Sequence, residues 1–331
     1  MDLRDRSWQR LRGLRADPPG LAAAEPRRRL FSAALEQAEQ LMRSAESLGT
    51  ATKPINIFYG LSQGVRGVAA ARMKENQGRL SGHGIKLDGV LDRELASISL
   101  VDSPDRWGSF TTIAKLLDSP SLPEPTALGD LIAALPLSLP KDSWSGRPTT
   151  LSIEHVPQNS PSFGMISRNI YANSGPWPDV EELHVPDVDV RRAWAQGYLA
   201  RHYPDLRAFV PMPEGWERVR MDRDAPLVTL MFVLDNGTGS DAVREQSIYT
   251  HTRSVAGAHL AVPRFGDAER SPHPLNVVWA CLWAFSMLAR YEPVRWSGLV
   301  DVDRSGDATA LEEILEDALD LVPTLLLDAL E

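Results

Sequence analysis

Ile55-Asn56-Ile57-Phe58-Tyr59-Gly60-Leu61-Ser62-Gln63-Gly64-Val65-Arg66-Gly67-Val68 can be folded in two ways, and the fold of the chain turns on the choice. As a strand running into a tight turn, Gly60-Leu61-Ser62-Gln63-Gly64 is G-x-S-x-G, a nucleophile elbow in which the flanking glycines let the backbone bend and the Ser62 hydroxyl project. As a helix, the same glycines serve close packing and Ser62 carries no chemistry.

At about 100° per residue the helical alternative sorts the side chains by chemistry. Phe58, Leu61, Val65 and Val68 share an apolar arc, Gly60, Gly64 and Gly67 form a strip beside it, and Tyr59, Gln63 and Arg66 line a third face. Each interior glycine costs about 1 kcal/mol of helix propensity relative to alanine, which makes sense if another helix approaches along that strip. An α/β-hydrolase also builds several strands before its nucleophile, whereas here a charged lead-in and a helical pattern fill that space. Asp235 with His259 or His273 would complete the order Ser, Asp, His, but in a chain with seven histidines that order decides nothing.

Outward from this segment, Leu30 to Leu48 has helical spacing and predicts an amphipathic helix, and Pro54 to about Met73 predicts a second, so that the two form a hairpin. Residues 1–25 are expected to be a charged lead-in, with one domain over 26–331, helical in 26–80 and 273–331 and mixed in 85–265. Thr150 to Glu154 and Pro226 to Asp235 predict strands, Asn236-Gly237 predicts a turn, and Thr111 to Leu117, Leu128 to Leu135 and Val188 to Ala208 predict helices. Pro274 to Tyr291 is apolar nearly all round and predicts a central helix; Thr309 to Leu330 predicts a terminal helix disturbed by Pro323. The sum is an α+β fold with helical ends packed together around a β-containing middle.

Composition bounds the function. The 331 residues are 43% hydrophobic and 24% charged, an ordinary globular balance. A net charge of −9 does not point to nucleic acid or an anionic membrane surface. The one cysteine, Cys281, rules out an internal disulfide and a cysteine-based zinc cluster. The N-terminal residues lack the apolar core of a signal peptide and no stretch reaches the length of a membrane span, so a cytoplasmic protein is expected. Scattered histidines give no metal motif, no glycine-rich loop carries the lysine that follows in a phosphate-binding loop, and no cofactor is expected.

Phe31 to Leu48, Ala51-Thr52-Lys53-Pro54, Phe58-Tyr59-Gly60-Leu61-Ser62-Gln63 and His83-Gly84-Ile85 resemble the N-terminal signature of the YaaC-like bacterial proteins. Leu288-Ala289-Arg290-Tyr291-Glu292-Pro293-Val294-Arg295-Trp296 resembles their C-terminal signature, so the resemblance spans nearly the whole chain. It implies that residues 59–73 are plain helix, that the G-x-S-x-G is incidental, and that the protein is soluble, bacterial and cytoplasmic. It implies no established activity.

Candidate ligand-binding residues are Tyr59, Gln63 and Arg66 on the polar helix face, His83 between two glycines, and Arg290 and Tyr291 at the end of the central helix. Catalytic candidates are Ser62, His83, and the pair Arg253 and His259, whose Arg-x5-His spacing is like that of HEPN-type ribonucleases. The expectation is a binding or regulatory component with a protein partner or a second copy of itself, in stress or antiviral defence. An enzyme, either a Ser62 hydrolase or an Arg253/His259 ribonuclease, is the alternative.

Overall fold

The computed structural model describes all residues except 1–2, 89–93, 105–107, 137–146, 157–166, 172–187, 207–208, 212–216, 223–224, 235–251 and 256. Asp235 and the Asn236-Gly237 turn therefore lie outside the described residues. The contacts divide the chain into two compact units, residues 1–132 with 273–331 and residues 133–272.

The first unit is built of helices from both ends of the chain. Helix α1 (Leu3–Ala16) is followed by α2 (Arg27–Glu46) and α3 (Lys53–Arg72), and after a small sheet come α4 (Ser109–Leu116) and α5 (Leu128–Ala133). Residues 1–25 are thus more than a lead-in, because α1 buries Trp8 and Leu11 and packs on the C-terminal helix. Ser7 and Thr324 hydroxyls are 3.1 Å apart, and Arg4 pairs with Asp320 at 2.5 Å, so polar contacts dock this highly charged helix.

Helix α3 sits centrally. Its G-x-S-x-G stretch lies wholly within the helix, so no strand-to-helix corner exists at Ser62. The glycine strip is read by two neighbours: a Cβ on Gly60 would lie 2.8 Å from Met42 Cγ and one on Gly67 3.0 Å from Leu35 Cδ2, both on α2. One on Gly64 would lie 2.3 Å from Leu326 Cδ1 of the C-terminal helix. Absent side chains let both helices approach α3, which offsets the propensity cost of the glycines.

The small sheet has strand order β1 (Ile85–Asp88), β2 (Ser99–Asp102), β3 (Thr126–Ala127), all antiparallel. In the second unit β4 (Leu151–Val156), β5 (Ser167–Tyr171), β6 (Phe209–Pro211), β7 (Glu217–Asp222), β8 (Ala225–Leu234), β9 (Arg253–Val255) and β10 (Ala258–Ala261) form one antiparallel sheet, accompanied by α6 (Val188–His202). The sheet order is β6-β8-β5-β4-β10-β9, with β7 also on β8.

The first unit closes with α7 (Pro274–Tyr291), α8 (Pro293–Leu299) and α9 (Ala308–Leu330). Helix α7 starts on Pro274 behind His273, whose Nδ1 accepts from the Leu275 backbone N–H at 3.1 Å. Trp296 of α8 folds back under it, 5.7 Å from Phe285 between ring centres, and donates to the Thr50 carbonyl at 3.1 Å. Helix α9 runs through Pro323 rather than breaking there. Pro323 is buried among apolar neighbours on α9, and Thr324 Oγ1 donates to the Asp320 carbonyl at 3.1 Å in the same stretch. Packing of a long apolar helix outweighs one missing backbone bond. The helical ends pack on one another, as α1 against α9 and α3 against both α7 and α9.

Candidate functional site

Arg290 emerges in the last turn of α7, where a cation complements the helix dipole. Its Nη1 donates to Tyr59 Oη at 2.7 Å and its Nη2 to Tyr291 Oη at 3.0 Å, and the guanidinium carbon lies 5.5 Å and 4.8 Å from the two ring centres. Two residues 231 positions apart in sequence, Tyr59 and Arg290, are thereby joined. The guanidinium is exposed and pairs with no carboxylate among the described residues.

Hydrogen-bond accounting shows what this cluster offers. A guanidinium has five N–H donors, of which two are spent on the phenols. Each phenol oxygen accepts from the arginine and so keeps its own O–H to donate. The cluster therefore presents net positive charge and an excess of donors at its free edge, which suits a carboxylate or a phosphate.

Behind the cluster runs a series of rings. Phe58 lies 5.5 Å from Tyr59, His83 lies 5.6 Å from Phe58 and 6.4 Å from Trp283, and Phe110 meets Trp279 edge-on at 6.3 Å. His83 is half-buried and held by its backbone: its carbonyl accepts from Phe110 N–H at 2.9 Å, and the Gly82 carbonyl accepts from Ser109 Oγ at 2.8 Å. Gly84 has φ +74, and a Cβ there would lie 2.8 Å from the Gly108 carbonyl carbon, so only glycine fits. The glycines beside His83 therefore press its loop onto the start of α4 and set the ring between α3 and α7.

Of the residues singled out in the sequence, Tyr59, His83, Arg290 and Tyr291 gather here. Gln63 and Arg66 are half-buried on the same face of α3 as Tyr59, and Arg66 Nε is buried with no hydrogen-bond partner among the described residues. Ser62 is buried in mid-helix and hydrogen-bonds to no histidine among the described residues. Arg253 and His259 lie on adjacent strands where Arg253 pairs with Leu260 and Ser254 with His259. Paired residues share a face and successive ones alternate, so Arg253 and His259 point to opposite faces of the hairpin. His259 Nδ1 instead meets Thr252 Oγ1 at 3.2 Å, while burial lowers the pKa of the Arg253 guanidinium, whose Nη2 donates to the Ser271 carbonyl at 3.4 Å.

Phe58 on the apolar arc of α3 and Trp279 and Trp283 in the apolar run of α7 read from sequence as core. A signal was present in α7, where Asn276, Trp279, Trp283, Ser286 and Arg290 recur at intervals of three and four and carry polar atoms on one side of an otherwise apolar helix. Cys281 on the same helix is fully buried and its thiol pKa is pushed up by desolvation, the behaviour of a small hydrophobe. No group of three or more acidic, histidine or cysteine side chains capable of holding a metal occurs among the described residues. None of the helices described is long and apolar enough to cross a membrane.

Helices from both ends of the chain, a separate antiparallel sheet and a tyrosine-clamped arginine define a helix-dominated α+β protein with a cationic-aromatic surface cluster. The chain belongs to the family of YaaC-like proteins, matched over residues 6–330. No curated protein and no solved structure matches it.

Proposed function

We propose that the protein acts by binding, as a cytoplasmic regulatory or interaction component that docks an acidic segment of a protein partner on Tyr59, Arg290 and Tyr291. The observation that carries this is the Arg290 guanidinium, exposed, fixed by two phenols and without a carboxylate to neutralise it among the described residues. Arginine and tyrosine are the side chains that contribute most at protein interfaces, and rigid clamping lowers the entropy cost of binding. Beside them Tyr291 is 60% exposed and Val294, the second residue of α8, is 88% exposed, so an apolar contact flanks the charge. Stress or antiviral defence is the cellular setting we attach to this reading, and a deletion strain would then show a raised plaque count on phage challenge.

A photo-crosslinking amino acid at Val294, introduced in cells, tests the docking surface. The expected result is a discrete adduct that disappears when Arg290 is replaced by Met, its mass separating a second copy of the chain from a different protein. No adduct, or an adduct indifferent to R290M, overturns the proposal.

A further inference from the structure

Inside the first unit, five buried side-chain atoms of α7 lack a hydrogen-bond partner among the described residues: both amide atoms of Asn276, Nε1 of Trp279, Nε1 of Trp283 and Oγ of Ser286. All four residues are at most 3% exposed. Their intervals of three, four and three place them within an arc of about 80° on the helix, so they form one stripe. Buried polar groups are nearly always paired, and a run of unpaired ones along a single face calls for a partner of its own.

The stripe faces α3 and the His83 loop. Trp283 meets the His83 ring, which in turn meets Phe58, and Trp279 meets Phe110 of α4. Helices α3 and α7 run antiparallel. Tyr59 near the start of α3 touches Arg290 at the end of α7. At the other end, Arg72 Nη2 donates to the Leu116 carbonyl at 3.3 Å and the His273 N–H donates to Ser119 Oγ at 2.9 Å. Seven residues forward along α3 from Tyr59 is Arg66, and seven back along α7 from Arg290 is Trp283, each a step of about 10 Å. Arg66, whose Nε is buried and unpartnered, therefore stands level with Trp283.

The inventory of these groups identifies their complement. Two indole N–H, the Arg66 Nε–H and two amide hydrogens only donate, the Ser286 hydroxyl does either, and the Asn276 carbonyl alone only accepts. Donors outnumber acceptors and one of them is cationic. We propose that the seam between α3 and α7 binds a small oxygen-rich anion, a carboxylate or a phosphate ester, at the level of Trp283, held by Arg66, Trp283 and Ser286. This site is separate from the surface cluster at Arg290 and stands whether or not that cluster docks a protein.

The test follows the indole N–H resonances of the full-length, 15N-labelled protein, with Trp279 and Trp283 assigned through W279F and W283F. Inorganic phosphate and succinate are titrated separately at constant ionic strength against a chloride control. A saturable movement of the Trp283 signal with either probe is expected, the arm that responds telling phosphate from carboxylate. Arg66→Met and Ser286→Ala are expected to weaken that binding at least about tenfold, and Arg290→Met to leave it within about twofold. If neither probe moves either indole, or if S286A binds as well as the parent, the seam is only a buried polar stripe and the proposal fails. If R290M abolishes the shift, the response belongs to the surface cluster and the seam is again refuted.

Discussion

Arg290 uses two of its donors to fix itself between Tyr59 and Tyr291, and the loss of either phenol leaves it held by one. Tyr59→Phe is expected to leave the fold intact, because the ring keeps its contact with Phe58, while leaving the guanidinium held by Tyr291 alone. Affinity for an acidic partner should fall about tenfold, measured by calorimetry on the crosslinked partner once purified. Ser62 makes the opposite case. Buried in a continuous helix, it should not react with a fluorophosphonate probe, and Ser62→Ala should be at least as stable as the parent because alanine is the better helix former. Stoichiometric labelling at Ser62 would restore the hydrolase. Gly64 is the residue whose size decides packing. Gly64→Ala drives a methyl into Leu326 and should cost about 1–3 kcal/mol in denaturant unfolding, with the Leu326→Ala penalty reduced in the G64A background.

Among the elements, α9 joins an apolar face to a crowded acidic one. Asp317 has its pKa raised, first by burial and then by Asp320, Glu313 and Glu316. The folded state thus holds this proton more tightly than the unfolded state. Ionising Asp317 costs stability, a cost absent below the ordinary aspartate range and complete once pH passes the raised value. Asp317→Asn is expected to raise the melting temperature at pH 7 and to leave it unchanged at about pH 2.5, below the ordinary aspartate range. Elements with clear periodicity and punctuation were legible in the sequence. The helix expected over Pro274 to Tyr291 is α7 to the residue, and Pro54 to Met73 is α3 shifted by one, since a proline opens each and the apolar spacing runs unbroken between. Helix α1 was not legible as a packed element. Only Ser7, Trp8 and Leu11 of its 14 residues are buried, and much of its docking is by arginines that read as a solvated charged segment.

At the scale of the whole molecule, the two units make separable predictions. Gly64→Ala acts in the first, whereas Tyr203→Phe removes from the second a buried hydroxyl that donates to the Thr149 carbonyl at 2.6 Å. The two substitutions are expected to destabilise different sets of slowly exchanging amides, read by native-state hydrogen exchange; identical sets would mean one cooperative unit. The candidate site was legible only in its parts. Tyr59, His83, Arg290 and Tyr291 stood out by residue type and position, and Trp283 and Phe58 did not, because a large aromatic on an apolar arc looks the same whether it fills a core or lines a site. The sequence by itself determined that residues 55–68 have three chemical faces, since side-chain direction follows from helical period. Whether that period or a strained turn applied, and that Tyr59 would meet an arginine 231 residues away, was decided by tertiary structure. Such a pairing depends on which helices α3 can approach, and that is set by the glycines and the side chains facing them across α2 and α9.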